Sequence, residues 1–329
     1  MSQEAYTCIE QLDLAAQQLD KRNPSYARFA IILIDNVIEL ITHSICSDEI
    51  TNDDLWIRLG DPKLSSKQRQ DALGQRFDRK IAFCRSRNRI SNDEAEAIHI
   101  CHRYRNELYH AGIKYKNVVW DIADFYYQVA VSVLEKRYSP RYWSSASVIS
   151  PAVERHAGMK GKLIAPEMKA VAESLRSIKP ATEYSLRESL SEAALERIEE
   201  TQSALDFLVS DGTEHHDEKQ TLRGVQFENW MRSDDSLVLA VRDRIKRPDQ
   251  LVAARTFLEM VWTPKYSDTP LPAFEKQAKS IHTQKSELDG LKSFERFRSE
   301  FSFISELLEE AASSLDNYIQ MEIDRLRGK

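Results

Sequence analysis

Arg105, Asn106 and His110 lie within one short segment, Arg103-Tyr104-Arg105-Asn106-Glu107-Leu108-Tyr109-His110. Arginine and histidine are the side chains that phosphodiester cleavage without a metal needs most. A base must take the proton of a ribose 2′-hydroxyl, an acid must protonate the leaving 5′ oxygen, and a cation must steady the charge at phosphorus. Imidazole exchanges protons near neutral pH, and a guanidinium forks onto phosphate oxygens as an ammonium does not. Asn106 would orient the histidine or the phosphate. On a regular helix, at about 100° per residue, Arg105 and His110 point roughly 140° apart, whereas Asn106 and His110 share a face. In a last helical turn His110 would feel the negative end of the dipole, which favours imidazolium. Whether it serves as base or acid stays open.

Other residues could join this group. His102 falls on the Asn106 face by the four-residue step, with Arg103 beside it. Tyr109 could stack on a base, although an aromatic on a bundle helix more commonly packs. Asp35, Glu39 and His43 form a polar stripe on an otherwise apolar segment. A buried carboxylate needs a partner, so the stripe either meets water or faces a site, with Glu39 the candidate partner of Arg105 or Arg103. Between Lys63 and Arg89 nine basic residues face only Asp71 and Asp78. Of these, Arg76, Arg79, Lys80, Arg85, Arg87 and Arg89 are candidates to track RNA phosphates, against the plainer reading of a solvated helix face.

The elements that must position these residues are helices. Apolar steps of three and four run through residues 3–20, and Pro24 breaks the chain after them. Residues 25–46 read as a central helix, apolar on most sides. Residues 51–69 read as polar and irregular, and a basic helix is expected over 67–88. Ser91 and Glu94 have capping-box spacing at the start of a helix that runs to His110, with Ala111-Gly112 as its stop. A further helix covers about 118–137. Ser139-Pro140, three more serines and Ser150-Pro151 mark a linker over 139–152. This divides the chain into 1–138 and 153–329. The second part keeps helical periodicity and ends in a long helix expected over 292–326, suited to a bundle or to a coiled-coil seam with a second copy.

Composition sets the outer bounds. The 329 residues carry a net charge of −6, with 42% hydrophobic and 30% charged residues and few glycines and prolines. That is an ordinary balance for a soluble helical protein. The four cysteines, Cys8, Cys46, Cys84 and Cys101, have neither zinc-ligand nor disulfide-framework spacing. His215-His216, an adjacent pair, is a poor metal site. No metal or other cofactor is expected. The polar N-terminus lacks a signal-peptide pattern, and the run Phe29–Ile34 stops at Asp35, so a cytoplasmic protein without a membrane partner is expected.

The motif Arg105-Asn106-x-x-x-His110, near the end of a bundle helix with another helix after it, resembles the HEPN superfamily of helical domains. These occur in many prokaryotic toxin, phage-defence and RNA-processing proteins. The resemblance covers about residues 1–138, with no counterpart in 139–329. It implies a HEPN-like helical bundle, which with the helical periodicity of the second part gives an expected all-α chain, a bundle followed by a second helical domain. It also implies a homodimer in which two arginines, two asparagines and two histidines ring one cleft. The implied activity is endoribonuclease cleavage to a 2′,3′-cyclic phosphate and a 5′-hydroxyl, in a toxin or antiviral setting with a regulatory protein or antitoxin as partner. The alternatives are a non-catalytic module binding RNA or a nucleotide, and a helical dimerisation scaffold.

Overall fold

The computed structural model describes residues 3–110, 116–138, 150–158, 167–178, 185–212 and 217–327. Among them are fourteen α-helices, one short 3-10 turn and no strand, so the chain is all-α. It divides into two compact units, Met1–Ser189 and Leu190–Lys329.

In the first unit α1 (Gln3–Leu19) buries Ile9, Leu12, Ala16 and Leu19 against the central helix α2 (Pro24–Arg58). Asn23 caps α2 by accepting from the Ser25 amide at 2.9 Å, with Pro24 in the first turn, where its missing N–H costs nothing. The helix runs on to Arg58, through part of the stretch expected to be irregular. The reason lies in Asp53, which is buried and accepts from the amides of Lys63 and Leu64 at 2.6 and 2.9 Å. These bonds fold the following loop back onto α2, after Gly60 takes φ +77° at the turn. By length and composition α2 could cross a bilayer, but its apolar residues pack on α1 and α6.

The expected basic helix over 67–88 is two helices, α3 (Ser66–Leu73) and α4 (Phe77–Ser86), separated at Gly74. A capping box between Ser65 and Gln68 starts α3. The capping box expected at Ser91 is present and opens α5 (Asn92–His110). The Ser91 amide donates to Glu94 at 2.8 Å, and the Glu94 amide to Ser91 Oγ at 3.1 Å. The expected stop at Ala111-Gly112 lies outside the described residues. Next, α6 (Val119–Arg137) buries Ile122, Tyr126, Ala130 and Leu134. Trp120 ties it to the end of α1 by donating to the Leu19 carbonyl at 2.7 Å.

Most of the expected 139–152 linker also lies outside the described residues. The helices after it, α7 (Pro151–Ala157) and α8 (Met168–Ser177), pack on α1 and α6 and belong to the first unit. The division between units therefore differs from the expected edge. The apolar faces of α7 and α8 have their partners behind them in the chain, and a Ser/Pro-rich stretch by itself does not separate packed helices.

In the second unit α9 (Leu186–Asp211) buries Leu190, Ala194, Ile198 and Leu205. α10 (Glu218–Arg232), α11 (Ser236–Arg242), α12 (Asp249–Val261) and α13 (Leu271–His282) lead to α14 (Glu287–Leu326). That last helix is 40 residues long, about 60 Å at 1.5 Å per residue. It begins five residues before the expected start, capped by Ser286, which accepts from the Asp289 amide at 3.1 Å. Phe294, Phe297 and Phe301 on α14 pack with Phe274 of α13 in a ring cluster.

Candidate functional site

The site is built on one face of α5, pinned by a carboxylate from α2. Asp35 is only 1% exposed and sits where α2, α5 and α6 meet. His102 Nδ1 lies 3.0 Å from each of its oxygens, and the Tyr126 hydroxyl donates to Oδ1 at 2.7 Å. Arg105 Nε is 3.5 Å from Oδ2, and its Nη1 donates to Asn106 Oδ1 at 3.0 Å. The His102 ring stacks on Phe77 of α4, with centroids 4.1 Å apart and planes at 20°. Burial, and then the Asp35 charge, push the Tyr126 phenol far above its ordinary pKa, so it is a fixed donor.

The structure thus brings together His102, Arg105 and Asn106 among the expected residues, all partly exposed, with Arg103 exposed beside them. His110 and Tyr109 lie at the end of α5, and their side chains fall outside the described residues. Glu39, one turn along α2, is half-buried: one ligand-type atom each from Asp35, Glu39 and His102 lie within 4.8 Å of one another. His43 is exposed, so the polar stripe splits: Asp35 turns inward and His43 meets water. An Asp, a Glu and a His are metal-binding residue types. Here, however, Asp35 already accepts from Tyr126 and His102, and the Arg105 guanidinium would oppose a cation.

The basic residues separate by role. Arg87 Nε and Arg89 Nη2 reach Glu49 of α2 at 2.9 and 2.5 Å. Burial works to raise the Glu49 pKa, but the Arg89 and Arg87 hydrogen bonds outweigh it and hold the carboxyl below its ordinary value. Arg79 lies 3.3 Å from Asp71. Arg76 and Arg85 are exposed, and Lys80 is half-buried. His99, one turn before His102, lies 3.5 Å from Asp78, and burial lowers its pKa against the pull of that carboxylate. The capping residue Glu94 also accepts from Ser132 and Lys136 of α6 at 3.0 and 2.7 Å, so the start of α5 is anchored as well.

Sequence reasoning missed Asp35 as the hub, with Tyr126 and Phe77 as its supports. The signal for Asp35 was present, a carboxylate interrupting an apolar run and sharing a stripe with Glu39. Tyr126 and Phe77 carried none, because each reads as ordinary packing. His215-His216 lies outside the described residues. No family model matches the chain, and neither does any curated protein or solved structure.

Proposed function

We propose that the α5 face carrying His102, Arg105 and Asn106 handles RNA phosphates, and that the chain is a metal-independent endoribonuclease acting as a homodimer in the manner of the HEPN proteins it resembles. The observation that carries this reading is Arg105. Its side chain is 32% exposed and is steadied from below by Asp35 and Asn106, beside an imidazole held by the same carboxylate. A guanidinium oriented before substrate arrives is what stabilising charge at phosphorus requires. By analogy with the family, the setting is a toxin or anti-phage effector, with the second unit or a separate protein as its restraint.

The test is incubation with single-stranded RNA in EDTA beside Arg105→Ala and His110→Ala. The expected result is cleavage by the wild type to 2′,3′-cyclic phosphate ends. Loss of the histidine should slow it about 10²–10⁴-fold, the usual worth of a general acid or base. RNA bound but uncut by all three proteins would identify a binding module instead. A second reading, a non-catalytic scaffold, draws support from Arg79, Arg87 and Arg89, whose carboxylate partners lie within the fold. It predicts no RNA binding, together with loss of the dimer in the variants.

A further inference from the structure

We propose that His102 is the proton-accepting group paired with Arg105, presented through Nε2 because Asp35 holds Nδ1. This rests on the ribonuclease reading and adds a residue to it. His102 Nδ1 lies 3.0 Å from both Asp35 oxygens, the geometry of an Nδ1–H donating to a carboxylate, and in the proposed site the ring is that tautomer. The neutral ring then has its lone pair on Nε2, on the edge away from Asp35. Phe77 covers one face of the ring and fixes its plane.

The first unit contains a second buried Asp–His pair that shows what a purely structural one looks like. His156 places Nε2 2.8 Å from Asp13 and Nδ1 2.8 Å from Ser174 Oγ, and its side chain is 0% exposed. Both nitrogens are used, and the imidazole ties α7 to α1 and α8. Among the described residues His102 hydrogen-bonds through Nδ1 alone, and its side chain is 16% exposed. The same pair of residue types is closed in one place and open in the other.

Helical geometry supports the pairing with Arg105. His102 is three residues from Arg105, about 4.5 Å of rise and roughly 60° of rotation. His110 is five residues away on the other side, about 7.5 Å and roughly 140°. One protomer can therefore bring His102 and Arg105 to the same phosphate more readily than Arg105 and His110. In the proposed step the 2′-hydroxyl proton passes to His102 Nε2 as the 2′ oxygen bonds to phosphorus. The bond from phosphorus to the 5′ oxygen breaks, and that oxygen takes a proton from solvent. The charged and titratable groups around His102 are Asp35 and Glu39 from α2, Tyr126 from α6, Asp78 from α4, and His99, Arg103 and Arg105 on α5 itself.

Two measurements test the proposal. In ¹⁵N-histidine spectra of the wild type, His102 should be the Nδ1-protonated tautomer. An Nε2-protonated ring would overturn the proposal whatever the activity. In single-turnover RNA cleavage, His102→Ala should lose about 100-fold or more in kcat with KM within about twofold, and added imidazole should restore part of the rate. If the alanine variant does not fold, His102→Gln, which can still donate to Asp35 but cannot take a proton, should show the same loss. Wild-type rate in a folded His102 variant would overturn the proposal and leave the Arg105/His110 site standing. A wild type that cleaves no RNA would remove the ribonuclease reading itself, and the role of His102 with it.

Discussion

Replacing Tyr126 with phenylalanine removes one oxygen from the centre of the first unit and little else. Tyr126 is 0% exposed and Asp35 1% exposed, and their hydrogen bond is 2.7 Å long. A hydrogen bond to a charged acceptor is worth about 1.5–3 kcal/mol. Asp35 keeps His102 after the substitution, so the loss should fall short of the about 3–5 kcal/mol for stripping a buried charge of its partner. We expect Tyr126→Phe to destabilise the first unit by about 2 kcal/mol. Asp35→Ala should cost more, because it leaves the Tyr126 hydroxyl and His102 Nδ1 without their acceptor. Because there are two units, stability should be read from hydrogen exchange in peptides of α2 and α6 across a urea series, not from a whole-chain signal. In an Asp35→Asn background the tyrosine substitution should cost about half as much, since neutral hydrogen bonds are roughly half as strong. A Tyr126→Phe cost below about 0.5 kcal/mol, equal in both backgrounds, would mean that Asp35 is not an ionised hub.

Other consequences follow from the same physics. The Glu49 carboxyl is depressed in the folded state, so the stability it contributes is present above the unfolded value of about 4.3 and is lost as pH falls through the lower folded value. Glu49→Gln should cost about 1 kcal/mol at neutral pH, because both guanidiniums remain partly solvated. The gap to the wild type should close in acid, and a gap unchanged in acid would remove the ion-pair account. Burial, with Glu4 nearby, pushes the Cys8 thiol up to about 12, and all four cysteines are buried. Ellman's reagent should therefore find no fast thiol in the folded protein and four in urea. One thiol reacting within seconds would show that the first unit opens locally.

Periodicity made the helices legible, and cap chemistry made some of their starts legible. Ser91 with Glu94 is a local signal, and it marks the true beginning of α5. The end of α2 was not legible, because Asp53 and Asp54 look like loop residues until Lys63, Leu64 and Arg69 fold back onto them. Gly74 split the basic stretch although its charges run continuously. In the site, Arg105 and Asn106 stood out by type and spacing. His102 was visible only as a neighbour on their face. Its importance depends on a carboxylate 67 residues earlier and an aromatic ring from α4, and no local pattern encodes such contacts.

The same carboxylates explain how a helix as apolar as α2 holds one register. Asp35, Glu49 and Asp53 are all buried, and each meets a different neighbour: α5 and α6, the end of α4 with the turn after it, and the loop with α3. The isoleucines and Val37 of α2 would tolerate a rotated packing at modest cost, since apolar contacts are not directional. A rotated α2 would leave three buried charges without partners, at several kcal/mol each. The polar groups therefore select the arrangement that the apolar groups stabilise. The orientation of His102 and Arg105 is a by-product of that selection: the carboxylate that fixes the register of α2 is the one that holds the imidazole and the guanidinium side by side.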